Sequence, residues 1–242
     1  MQEGDWCDWR GHSGRMRTFF PILAGATLGD RLLGCLGALV AIAATGLISA
    51  RLLDPAAALL LVAPMGASAV LVFSVPASPL AQPWPVIGGN VISALIGVAV
   101  ARVVPVPAVA AGVAVAAAIL GMSLTRSLHP PGGATALFAV IGGAGVAQAG
   151  YWFALVPVGV NAVVLAAMGV AIHRFTGHSY PHRAVAAGGR TLTPARVVVD
   201  PADLDRALAD VGETFDVSRD DLALLLRRVE HHAALRETSA TK

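Results

Sequence analysis

The chain has 242 residues; 56% are hydrophobic and only 13% charged, about half the charged share of a soluble globular domain. Between Leu32 and Ile172 the only charged side chains are Arg51, Asp54, Arg102 and Arg126. So few charges cannot clothe a water-soluble surface, which excludes an ordinary soluble enzyme, a disordered chain and a nucleic-acid-binding domain. The apolar runs are continuous and of helix-spanning length, unlike the alternating segments of an outer-membrane barrel. The expected fold is an all-α, polytopic membrane helix bundle.

Residues 1–28 form a polar N-terminal segment. Trp6, Trp9, Phe19 and Phe20 read as interfacial anchors. The first 18 residues are polar and contain acids, so no cleavable signal peptide is expected. Cys7 and Cys35 are poorly placed to pair, and no Cys/His cluster points to a metal.

Residues 29–176 form the transmembrane domain. Six apolar segments are expected, at 32–50, 55–75, 86–104, 108–128, 131–147 and 152–172. A span needs about 20 residues, so the fifth is short, and Pro64 interrupts the second. An even number of spans puts both ends on one side. Arg10, Arg15, Arg17 and Arg31 flank the first span, and Arg174, Arg183, Arg190 and Arg196 follow the last. By the positive-inside rule both ends are cytoplasmic, and the lipid bilayer is an obligatory partner.

Residues 177–242 form a cytoplasmic tail. A polar linker over 177–193 leads to Asp200-Pro201, a helix start with Asp as N-cap and Pro at the first helical position. Leu204, Leu208 and Val211 follow at helical spacing. Ser218-Arg219-Asp220-Asp221 resembles a capping box, and Leu222, Leu225, Leu226 and Val229 make an apolar stripe. Two short helices are too little for an independent core. They are expected to dock on the membrane domain, on each other, or on a second subunit in a homo-oligomer.

The transmembrane domain contains an internal echo. Pro64-Met65-Gly66-Ala67-Ser68-Ala69-Val70-Leu71 lines up with Pro131-Gly132-Gly133-Ala134-Thr135-Ala136-Leu137-Phe138, 67 residues later. Ala81-Gln82 echoes Ala147-Gln148, and Asn90 echoes Asn161. Units of three spans, about 29–104 and 108–173, must lie in opposite orientations. That is a 3+3 inverted repeat with Pro/Gly-broken helices, an architecture of secondary transporters with substrate at the repeat interface.

The chemistry is expected at these breaks. His129-Pro130-Pro131 ends one helix and begins another. From Gly132 onward, free backbone N–H groups at a helix N-terminus favour an anion, and glycines allow close approach. The substrate-binding residues expected are Gly66, Ala67, Ser68, His129, Gly132, Gly133, Ala134 and Thr135, with Ser68 and Thr135 as hydroxyl donors. His129 is able to donate a hydrogen bond or take a proton. Gln82, Asn90, Arg126 and Asn161 are secondary candidates, although Arg126 also suits an interface marker and the asparagines also suit helix–helix ties. No nucleophile with a His/acid set, P-loop or dinucleotide fingerprint appears, so neither an enzyme nor a cofactor is expected. With Asp54 the only carboxylate in the apolar region, a cation pump is also disfavoured.

His129-Pro130-Pro131-Gly132-Gly133-Ala134-Thr135-Ala136-Leu137 resembles the motif of the HPP family of integral membrane proteins. Gly66-Ala67-Ser68-Ala69-Val70-Leu71, Ser78-Pro79-Leu80-Ala81-Gln82-Pro83 and Tyr180-Pro181-His182 resemble further family blocks, with Arg183 where Trp often follows. The resemblance covers about 29–183. It implies transport of a small anion, nitrite in chloroplast and cyanobacterial members, and in many bacterial members a C-terminal CBS domain, to which this tail resembles the lead-in. The expected function is therefore nitrite transport across a bacterial inner membrane. A passive anion channel and a membrane-embedded sensor or scaffold signalling through its tail are the alternatives.

Overall fold

The computed structural model describes residues 23, 27–52, 63–182, 201–212, 216–217 and 219–240. The N-terminal anchors, the front half of the second expected span, Asp54, most of the linker and Ser218 lie outside the described residues. Every regular element among those described is helical. We number them α1 (Leu28–Leu52), α2 (Pro64–Ser74), α3 (Asn90–Val103), α4 (Pro107–Leu124), α5 (Pro130–Ile141), α6 (Ala144–Ala149), α7 (Val160–Thr176), α8 (Pro201–Val211) and α9 (Arg219–Ala240). A wider, π-type turn leads into α3 over Pro85–Gly89 and another into α7 over Ala154–Gly159.

Among the described residues four helices are long and apolar enough to cross a membrane: Leu28–Arg51, Pro85–Val103, Pro107–Leu124 and Ala154–Thr176. The second and fifth expected spans differ. Within the described residues they are helices of 11 and 12 residues, about 16–18 Å at 1.5 Å per residue, against a hydrocarbon core of about 30 Å. Each starts at a proline, which fits the first helical turn but not the interior. The fifth segment is not continuous: α5 ends at Gly142, and Gly143 has φ +82° and ψ −167°, a conformation open essentially to glycine.

The fourth span ends at Leu124, short of the expected 128. There Ser127 N–H reaches the Met122 carbonyl at 2.9 Å and Arg126 N–H the Ser123 carbonyl at 3.3 Å. This is a Schellman motif, and its left-handed residue is Arg126, at φ 54°. In the last span, Val156 leaves helical geometry (φ −136°, ψ 111°) and Pro157 restarts the helix.

The helices alternate in direction. Arg31 Nη1 donates to the Ser74 carbonyl at 3.0 Å, so α2 ends where α1 begins. Trp84 Nε1 donates to the Thr125 carbonyl at 3.2 Å, joining the start of the third span to the end of the fourth. Asp30 lies 3.5 Å from His178. The bundle thus begins and ends on one face. The core is built of small residues packed closely, with Ala94, Ala110, Ala114, Ala118, Ala136, Ala154 and Ala162 all essentially inaccessible, as membrane helix interfaces favour.

The tail helices touch each other, and the connection between them touches the bundle. Arg219 makes a two-pronged contact with Asp205 at 2.6 and 2.9 Å, and Ser78 Oγ donates to Asp216 at 3.1 Å. The Asp205 carboxylate stabilises the Arg219 cation and raises its already high pKa. Leu225 and Val229 on the expected stripe are exposed.

Candidate functional site

Ser68 and Thr135 point inward from α2 and α5, and both are completely buried. Each hydroxyl lies 3.2 Å from the carbonyl four residues back, Pro64 and Pro131 respectively. Between them stands Asn90, the first residue of α3 and also fully buried. His129, the residue before α5, is inaccessible as well. These four side chains form one hydrogen-bonded chain in the bundle.

Its direction follows from donor counting. His129 Nδ1 lies 2.8 Å from the Leu80 carbonyl. That oxygen only accepts, so Nδ1 carries the proton. Nε2 of the neutral ring then has a lone pair, and Ser68 O–H donates into it at 2.8 Å. Ser68 Oγ accepts from Asn90 Nδ2 at 3.3 Å, and the second Asn90 N–H goes to the Val86 carbonyl at 2.8 Å. Thr135 O–H donates to Asn90 Oδ1 at 2.6 Å. Every donor is used, so the chain satisfies itself without water.

This changes the expected site in two respects. The hydroxyls of Ser68 and Thr135 are already engaged. The N-terminus of α5 is also less open than expected: Pro130 and Pro131 have no N–H, and Gly132 N–H bonds the His129 carbonyl at 2.8 Å. Gly132 is sealed by packing, since a Cβ there would sit 2.7 Å from Met122 Sδ and 2.8 Å from Ser93 Oγ. Gly66, Ala67 and Ala134 face outward and Gly133 is half-buried, so these four do not join the buried chain.

The secondary candidates separate. Asn90 is the hub. Arg126 is exposed at the turn beside Ser127. Gln82 braces the loop that supplies Leu80: its Nε2 donates to the Pro76 and Ser78 carbonyls at 2.9 and 2.8 Å. Its Oε1 accepts from His182 N–H at 2.7 Å, and Tyr180 O–H donates to the Ala81 carbonyl at 2.8 Å. The Tyr180-Pro181-His182 stretch therefore latches the loop that positions His129. Asn161 lies apart from the chain, and its oxygen accepts from Ser49 Oγ at 2.5 Å.

Sequence reasoning missed Ser49, Ser78, Ser93 and the Leu80 carbonyl. Serines within apolar runs resemble packing residues, and a backbone acceptor has no residue-type signal. Among the described residues no group of three or more His, Cys, Asp or Glu side chains stands close enough to hold a metal ion.

Comparison with known proteins agrees with this architecture. The family described as HPP, transmembrane region, matches residues 24–181. Two proteins of Dictyostelium discoideum, each named only as a transmembrane protein, are 42% identical over 129 residues and 40% identical over 114. Those stretches are 50% and 45% of this chain, and 44% and 36% of the relatives, so the chain spans less than half of their length. No solved structure matches. With that match covering the whole bundle, from before α1 to the Tyr180 latch, the chain belongs to the HPP family of transmembrane proteins.

Proposed function

We propose that this protein carries a small monovalent anion, specifically nitrite, through a six-crossing bundle built as two inverted copies of three helices. Packing supports the repeat. The first helix of each copy packs on the short second helix of its own copy: α1 on α2, and α4 on α5. It also packs on the third helix of the other copy: α1 on α7, and α4 on α3. The short helices α2 and α5 each bury one face against the longer ones, with Met65, Ser68, Ala69 and Val72 buried on α2 and Gly132, Thr135, Ala136 and Ala139 on α5.

The observation that carries the reading is the buried chain Thr135–Asn90–Ser68–His129, which ties α2 to α5 across the interface of the two copies. It offers O–H and N–H donors and no carboxylate, which suits an anion. In this arrangement the donors hold one another, so the chain acts as a seal. An entering anion exchanges the bonds among Ser68, Asn90 and Thr135 for bonds to itself. His129 is able to take a proton with it: Nε2–H then donates to Ser68 Oγ, while the Ser68 hydroxyl turns to the Pro64 carbonyl. The face carrying Asp30 and His178 is the cytoplasmic face of a bacterial inner membrane in this reading, with Arg31, Arg126 and Arg174 on it.

Nitrite flux into proteoliposomes tests this. Ser68→Ala, His129→Ala and Thr135→Val should each lower flux tenfold or more while folding is retained. Wild-type flux should rise as pH falls, and the His129→Ala remainder should lose that dependence. Unchanged flux in all three folded variants would refute the site.

One observation favours a second reading, a sensor that signals through its tail. Asp216 bonds Ser78, whose hydroxyl also accepts from Leu80 N–H at 3.3 Å, and the Leu80 carbonyl holds His129. A sensor would bind nitrite without flux.

A further inference from the structure

Two asparagines stand near the start of the third helix in each copy, and their surroundings differ. Asn90 is fully used, with both N–H groups and the oxygen paired within the protein. Asn161 is equally buried, at 0% exposure, yet only its oxygen is paired, by Ser49. Its Nδ2 has no hydrogen-bond partner among the described residues. An amide N–H₂ enclosed in apolar surroundings is unfavourable unless an acceptor is brought to it.

The setting selects the kind of acceptor. Ser49 is itself 1% exposed, and by accepting its hydrogen bond Asn161 Oδ1 is pinned, so the N–H₂ has a fixed direction. Just before Asn161 the backbone is broken: Val156 is extended and Pro157 carries no N–H. The positive end of the following helix dipole therefore falls here. Ser49 lies one turn from the end of α1 and two residues from Arg51, which is exposed. That places the pair toward the face opposite Asp30 and His178. The nearest formal charge in sequence is a cation, and the donors are neutral.

We infer that Ser49 and Asn161 form a second binding station for a small monovalent oxyanion, on the side of the bundle opposite the His129 seal. Asn161 Nδ2 donates to an oxygen of the anion, and Ser49 holds the amide in the donating orientation. The inference takes its ligand class from the proposed transport function. An anion entering from the Arg51 side meets this station before it reaches the Asn90 chain.

The test uses the purified full chain with sodium nitrite, by thermal unfolding in detergent and by flux in proteoliposomes. Asn161→Asp keeps the shape but replaces the donor with a repelling oxygen. It should raise KM for nitrite at least tenfold and remove this station's share of the nitrite-induced thermal stabilisation. Ser49→Ala, a small change compatible with folding even if Asn161→Asp misfolds, should raise KM severalfold. Ser68→Ala should lower flux yet keep the share of the stabilisation that Asn161→Asp removes, because this station is separate. Wild-type KM and stabilisation in Asn161→Asp, or unchanged KM in Ser49→Ala, would overturn the station and leave the transport reading standing. Stabilisation of the wild type that depends on Asn161, without any flux, would keep the station and overturn transport. Nitrite that neither stabilises nor crosses with the wild type would overturn both.

Discussion

Gly97 and Gly112 are both helix-interior glycines, and the structure gives alanine opposite effects at them. A Cβ at Gly97 would sit 2.5 Å from the Ala136 carbonyl oxygen and 2.7 Å from Ala139 Cβ. Favourable contacts between such atoms need about 3.5–4.0 Å, so α3 and α5 would have to part by roughly 1 Å. A Cβ at Gly112 meets nothing within 4 Å. Helix propensity favours alanine by about 1 kcal/mol at both positions. Overpacking typically costs about 1–3 kcal/mol, and parting α3 from α5 also loosens the Asn90–Thr135 bond, a further loss of about 0.6 kcal/mol by the average for membrane proteins. Gly112→Ala should therefore stabilise by up to about 1 kcal/mol, and Gly97→Ala should fall roughly 2–4 kcal/mol below it. Reversible unfolding in mixed micelles by titration with sodium dodecyl sulfate, followed by circular dichroism, measures the gap. Gly97→Ala should also depress nitrite flux, because the spreading acts on the interface that holds the seal. Equal stabilities of the two variants would refute the claimed closeness of α3 and α5.

Two further outcomes follow from single residues. Arg126→Gly should stabilise the bundle by about 1 kcal/mol, the cost of a left-handed non-glycine residue, seen as a later unfolding midpoint in the same titration. Tyr180→Phe should lose about 1 kcal/mol, since the buried Ala81 carbonyl loses its donor, and should lower nitrite flux by loosening the loop that holds His129.

The spacing of apolar residues sufficed to read an all-helical membrane bundle, and the prolines at 64 and 130–131 sufficed to mark where its two short helices begin. Boundaries failed where backbone conformation decides them. Arg126 occupies a position that usually signals itself as glycine, so the early end of α4 had no marker. The Gly142-Gly143 break was hidden in a chain with 26 glycines. The candidate list held His129, Ser68, Asn90 and Thr135, but their mutual bonding was not readable, because it depends on α3 lying between α2 and α5. Outward-facing Gly66, Ala67 and Ala134 were carried along by the motif. A contiguous motif on a helix cannot put every residue on one face, since residues 100° apart diverge within a turn.

Under the proposed transport function, a seal made of satisfied donors has to be opened by the anion itself. The four side chains exchange hydrogen bonds between neutral groups, and none is held by a fixed charge. Bonds to an anion are roughly twice as strong as neutral ones, so Ser68, Asn90 and Thr135 each gain by turning to the anion, which offsets the loss of their mutual bonds. The anion must still shed its hydration, and that cost is where specificity arises: a small oxyanion presents lone pairs in directions the O–H and N–H donors can meet, whereas a spherical halide of equal charge gains less direction-dependent bonding. A carboxylate in place of Asn90 would upset this balance in both directions, since it would compete for the Thr135 hydroxyl and repel the incoming charge. Under that proposal the shortage of charge between Leu32 and Ile172 bears on the seal as well as on the solubility of the chain: a fixed cation would trap the anion and a fixed anion would exclude it, while neutral donors would hold the site shut in its absence and release it afterwards.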